Sequence, residues 1–160
     1  MHLLATCLLS VAFVTASNVQ SQPMQPMPAS RDPDCDAVVR RVLLLLPRQP
    51  VQVKVFDTDD TTDLLKSKYA HVEGFVLDGN PAVFLRKQSS TFQHALAGPG
   101  IWDYALAITV WHEMAHLDGA DERHAQEKEE ELWRQFVVAG RVDTRRGMAY
   151  LALLRKRHQP

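Results

Sequence analysis

Residues 101–117, IWDYALAITVWHEMAHL, constrain the fold more than any other segment. On a helical wheel at about 100° per residue, Thr109, His112, Glu113 and His116 share an arc of roughly 100°. The other positions from Tyr104 to Leu117 are Tyr, Ala, Leu, Ala, Ile, Val, Trp, Met, Ala and Leu. A helix that is apolar nearly all round is a buried helix, so the rest of the chain must wrap it. Its single polar stripe then needs a partner, because unpaired polar groups are costly in an apolar interior. Side chains at i and i+4 stand one above the other, so one metal ion satisfies both imidazoles.

What remains to do the wrapping is limited. A chain of 160 residues leaves room for one domain. Eighteen Lys and Arg against nineteen Asp and Glu give a net charge of -1, which excludes the overall basicity of a nucleic-acid binder. Leu3 to Ala16, LLATCLLSVAFVTA, is too short for a membrane span but suits the core of a signal peptide. Val14 and Ala16 fit the small-residue cleavage pattern, so residues 1–16 are expected to be removed. The product is exported, periplasmic or secreted, with no membrane attachment after cleavage. Residues 17–33 are rich in Pro, Ser and Gln and read as a flexible spacer. The domain is then 34–160. Cleavage takes Cys7 away and leaves Cys35 alone, so no internal disulfide is available and the domain must rest on its core or on a metal.

Within that domain, Asp34 or Asp36 can cap a helix through AVVRRVLLLL that ends at Pro47. Val51, Val53 and Val55 alternate with polar residues as a half-buried strand does. DTDDTTD, residues 57–63, has part of a calcium-loop pattern, but Thr62 replaces the turn glycine and Lys68 the closing Glu, so it reads as a turn and helix cap. Residues 72–77 and 82–86 form two strands around Asp78-Gly79-Asn80-Pro81, with Pro81 placing the second near a sheet edge. A short helix around 92–96 carries His94, read as an ordinary satisfied histidine. Helices at 101–117, 121–139 and 143–157 follow. The class is α+β: a short mixed or antiparallel sheet packed on the metal-binding helix, with two further C-terminal helices.

Two histidines do not complete a zinc site. Gly119 stops the helix and redirects the chain. On the next wheel, Glu122, Ala125, Gln126, Glu129, Leu132, Trp133 and Phe136 lie within about 80° of Glu122, whereas His124, Glu127 and Glu131 point away. Glu122, in the first turn, is the expected third ligand. Glu129 is the runner-up, or else a partner that orients a ligating histidine. Trp102, Trp111 and Trp133 read as core residues, as does Tyr150, which shares the apolar face of the last helix with Leu151 and Leu154. Arg145, Arg146, Arg155, Lys156 and Arg157 read as solvated, and His158 as a frayed end.

HEMAHLDG, residues 112–119, resembles the active-site helix and glycine turn of the zincin metallopeptidases. Glu122-Arg-His-Ala125 is similar to the ExxA segment of the glutamate-liganded zincins, although Gln126 stands where that segment usually has Asp. The resemblance spans about residues 109–126. It implies a small zincin-like fold and a zinc-dependent peptidase acting on a peptide or protein substrate. Zn2+ would be held by His112, His116 and Glu122, with Glu113 as general base. It also implies an extended substrate paired along an edge strand, for which 82–86 is the candidate. The competing readings are an exported zinc-binding domain without hydrolytic activity and a helical interaction module.

Overall fold

The first helix is capped two residues before the earlier of its expected caps. In the computed structural model, which describes residues 32–50, 52–59 and 63–158, Asp32 caps helix α1 (Pro33–Leu43) by accepting from the Asp34 N–H at 3.0 Å. Proline suits that first position because its missing N–H would go unused there. Asp34 and Asp36 therefore sit inside the first turn, where negative charge favours the helix dipole. Cys35, Val38 and Val42, spaced three and four apart, are buried. The expected signal peptide and nearly all of the spacer lie outside the described residues, as does the middle of the 57–63 turn.

Strand β1 (Gln52–Phe56), helix α2 (Asp63–Tyr69), and strands β2 (Gly74–Leu77) and β3 (Asn80–Arg86) follow. They form a mixed three-stranded sheet in the order β1-β3-β2, with β1 parallel and β2 antiparallel to β3. This corrects one expectation. The 82–86 segment is the central strand, and the open edge next to it belongs to β2. Pro81 is compatible with a central strand because it precedes the pairing with β1, which starts at Ala82. One face of the sheet carries a small aromatic cluster of Phe56, Tyr69, Phe75 and Phe84. Val55, Val83 and Leu85 point the other way, into the main core.

Helix α3 (Ser90–Leu96) is capped by Ser89, and helices α4 (Ile101–Leu117), α5 (Glu122–Val138) and α6 (Thr144–Arg157) complete the α+β domain. Ala105, Leu106, Ala107, Ile108 and Val110 are wholly inaccessible, as expected for a helix wrapped on all sides. Its first turn is pinned by Arg41, which reaches Asp103 at 3.0–3.3 Å and donates to the Ala95 carbonyl at 2.7 Å. Trp133 on α5 donates to the Gly147 carbonyl at 2.8 Å, joining α5 to α6. Among the described residues, no helix is long and apolar enough to cross a membrane.

Candidate metal centre

Gly119 ends α4 with φ +88°, a conformation that L side chains rarely adopt. The chain doubles back there, and the Ala120 N–H returns to the Ala115 carbonyl at 2.9 Å. One residue later Asp121 caps α5, accepting from the His124 N–H at 2.9 Å. Glu122 thus occupies the first helical position of α5, beside the last turn of α4. The same bend turns the Ala120 carbonyl oxygen toward His116, whose Nδ1 lies 3.0 Å from it.

That contact fixes a tautomer. A carbonyl oxygen only accepts, so Nδ1 of His116 carries the proton and, in the neutral ring, Nε2 is left with a lone pair. His112 is turned the same way, with Nδ1 buried and 3.4 Å from Oε2 of Glu129. The two Nε2 atoms then face each other at 3.1 Å. Glu122 closes the triangle, with Oε2 at 3.2 Å from His116 Nε2 and Oε1 at 3.7 Å from His112 Nε2. Two imidazole nitrogens and a carboxylate converging on one point are held there either by a shared proton or by a metal ion. Metal–ligand bonds of about 2.0–2.1 Å at tetrahedral angles put ligand atoms about 3.3–3.4 Å apart, and the observed spacings straddle that value. His112, His116 and Glu122 could hold a metal ion, their ligand atoms all lying within 4.8 Å of one another.

The other residues singled out in the sequence take definite places around this triangle. Gln126 donates to Oε1 of Glu122 at 2.9 Å and so steadies the most exposed of the three candidate ligands. Glu129 is buried behind His112, with Oε2 on the side of the ring nitrogen that faces away from His116. Thr109 bonds back to the Ala105 carbonyl at 3.2 Å. Glu113 is buried at the wall of the same cleft, a cavity of about 510 Å³ that also exposes Gly74, Val76, His112, His116 and Glu122. Burial pushes the Glu113 carboxyl up, with the neighbouring imidazoles of His112 and His116 pulling less strongly the other way. For His112, burial is the largest influence and lowers its pKa. The carboxylates of Glu129, Glu113 and Glu122 together outweigh it and leave the ring above its ordinary value.

Gly74 brings the sheet to the site. A Cβ there would meet Thr109 Cγ2 at 3.0 Å, Glu113 Cγ at 3.3 Å and the Phe84 carbonyl at 3.3 Å. A glycine lets β2 lie this close to the stem of Glu113 without displacing its neighbours. The Arg86 N–H donates to the Glu73 carbonyl at 2.9 Å, so Glu73 and, by alternation, Phe75 turn their backbone groups toward β3. The backbone groups of Gly74 and Val76 are left on the open edge, facing the cleft.

Two residues read as solvated or frayed also reach the cleft. His158, which caps α6, is half-buried with Nε2 at 3.3 Å from Oε2 of Glu129, and Arg157 Nη2 is 3.6 Å from Oε1 of the same carboxylate. Their signal was present, since His158 continues the face of Leu151 and Leu154 at helical spacing. Arg155 is likewise engaged, at 3.0 Å from Glu130. His94 stacks on Trp102 with centroids 4.5 Å apart, and His124 pairs with Asp121 at 2.7 Å, both away from the triangle. Tyr150 packs against Trp133, and burial pushes its phenol up to about 12.

No family model, curated protein or solved structure matches the chain.

Proposed function

We propose that the protein is an exported zinc-dependent peptidase of the zincin type, with His112, His116 and Glu122 as ligands and Glu113 as general base. The observation that carries this reading is the pair of Nε2 atoms 3.1 Å apart, each with its Nδ1 turned to an acceptor. Two imidazoles and one carboxylate are a donor set suited to Zn2+, with a fourth position free in catalytic sites. Zinc held there would lower the pKa of a bound water and polarise the scissile carbonyl.

The chain's own residues supply the rest. The open-edge N–H and C=O groups of Gly74 and Val76 pair with an extended peptide, which lays its backbone across the cleft. Glu113 takes the proton from the attacking water and delivers it to the leaving amine. Its buried surroundings favour the protonated form more than water does, which suits a group that must both accept and return a proton. Glu129 and the Ala120 carbonyl hold both histidines in the tautomer that presents Nε2. Tyr150, packed on Trp133, is assigned to the core and not to the oxyanion.

Zinc analysis and a generic peptide-cleavage assay, run on the native protein and on Glu113→Gln together, test the proposal. The expected result is zinc near one equivalent in both proteins, with cleavage in the native protein alone. Zinc in both with no cleavage by the native protein would favour a binding domain. Absence of zinc after supplementation would favour a helical interaction module.

A further inference from the structure

A buried carboxylate that backs a metal ligand needs partners of its own, and those of Glu129 come from the last turn of α6. Only 5% of Glu129 is accessible, so its charge is costly without close compensation. His112 meets one oxygen at 3.4 Å, His158 Nε2 the same oxygen at 3.3 Å, and Arg157 Nη2 the other at 3.6 Å. The turn is held in place by a second carboxylate. Glu130 receives Arg155 at 3.0 Å and Arg134 at 2.6 Å, and its Oε1 lies 3.6 Å from Nδ1 of His158. The imidazole of His158 therefore sits between two consecutive acids of α5.

We infer that Arg157 and His158 are positioning residues of the metal centre, which act through Glu129 to hold His112 in its ligating orientation. This rests on the reading of His112 as a ligand. It makes the end of α6, some forty residues beyond the metal helix, a part of the site. Changes there alter metal retention without touching a ligand. Orienting partners of metal-bound histidines are worth roughly 10- to 100-fold in affinity, and a residue acting one step further out is expected to contribute a fraction of that, roughly 3- to 10-fold.

The experiment is a double-mutant cycle read by cobalt binding. Arg157→Ala and His158→Leu are made in the native chain and again on Glu129→Ala. Co2+ affinity, its visible absorption bands and the rate of metal release are measured, with metal-free melting curves as a check on folding. Arg157 is half-exposed, so its variant is expected to fold whatever happens to His158→Leu. Each single variant is expected to weaken Co2+ binding about 3- to 10-fold and to shift the ligand-field bands. On Glu129→Ala neither is expected to cause further loss, because the intermediary is gone. His158→Gln, which retains an N–H donor, should recover most of the affinity. Native affinity in both single variants, or the same losses with and without Glu129, would overturn the inference. A native protein that takes up no cobalt would instead remove the metal centre on which the inference stands.

Discussion

Gly74→Ala tests the junction between the sheet and helix α4, and its magnitude can be worked from distances. The backbone of Gly74 lies outside the left-handed region, so alanine brings no conformational strain and the cost is one of packing alone. Of the three atoms the new methyl would meet, the Phe84 carbonyl at 3.3 Å belongs to the central strand and cannot give way. Thr109 Cγ2, at 3.0 Å, is held because its hydroxyl is bonded to the Ala105 carbonyl. Overpacking of this kind costs about 1–3 kcal/mol, offset by about 0.4–1 kcal/mol from the stiffer unfolded chain. The expected net loss is about 0.5–2 kcal/mol, or roughly 2–8 °C in melting temperature for a domain of this size. Thr109→Ser removes the clashing methyl and keeps the hydroxyl. On that background the share of the Gly74→Ala penalty due to the tightest contact should vanish, giving a coupling of about 0.5–1 kcal/mol. Zinc content should be unchanged, since no ligand is touched, while peptide cleavage should fall because the strand moves relative to Glu113. Melting curves for the four proteins of the cycle decide the matter. A Gly74→Ala protein as stable as the native one, or a penalty indifferent to Thr109→Ser, would refute the close-approach argument.

Three further outcomes are expected. Glu122→Ala should weaken zinc binding more than Glu129→Ala, whose effect is expected at about 10- to 100-fold, with both read by competition against a chromophoric chelator; the reverse order would make Glu129 the ligand. Gly119→Ala should cost about 1–2 kcal/mol in stability, because a side chain is forced to positive φ, and should also loosen zinc by shifting the Ala120 carbonyl from His116. Glu130 is subject first to burial, which raises its pKa, but Arg155 and Arg134 outweigh this and hold it below the ordinary value. A carboxyl depressed in the folded state stabilises above its unfolded pKa of about 4.3, and that stability is lost as pH falls through the lower folded value. Metal-free Glu130→Gln should therefore melt a few degrees below the native protein at pH 7, with the gap closing as pH falls through the lowered folded value, as thermal denaturation across pH will show.

The parts of this domain that local rules govern were legible in the sequence, and the parts that depend on who packs beside whom were not. Helix α4 has the bounds its periodicity predicts, because Gly100 and Gly119 flank an uninterrupted apolar run. The convergence of His112, His116 and Glu122 follows from three local facts: a four-residue spacing, a glycine bend and a cap at Asp121. Glu129 was confined to two roles by its wheel position, and it lies buried beside Nδ1 of His112. The strand order was out of reach for a definite reason. Alternation says which side chains share a face but is silent on which edge acquires a neighbour, so a proline at the head of the central strand looked like an edge marker. The end of α6 was misread for a related reason. Arg155, Lys156 and Arg157 form a basic run that resembles a solvated tail, and only the docking of α6 on α5 brings it against Glu129 and Glu130. A buried acid on one helix is thus a demand that some other element must meet. For the inward-facing Glu129 that demand is met by Arg157 and His158 at the end of α6.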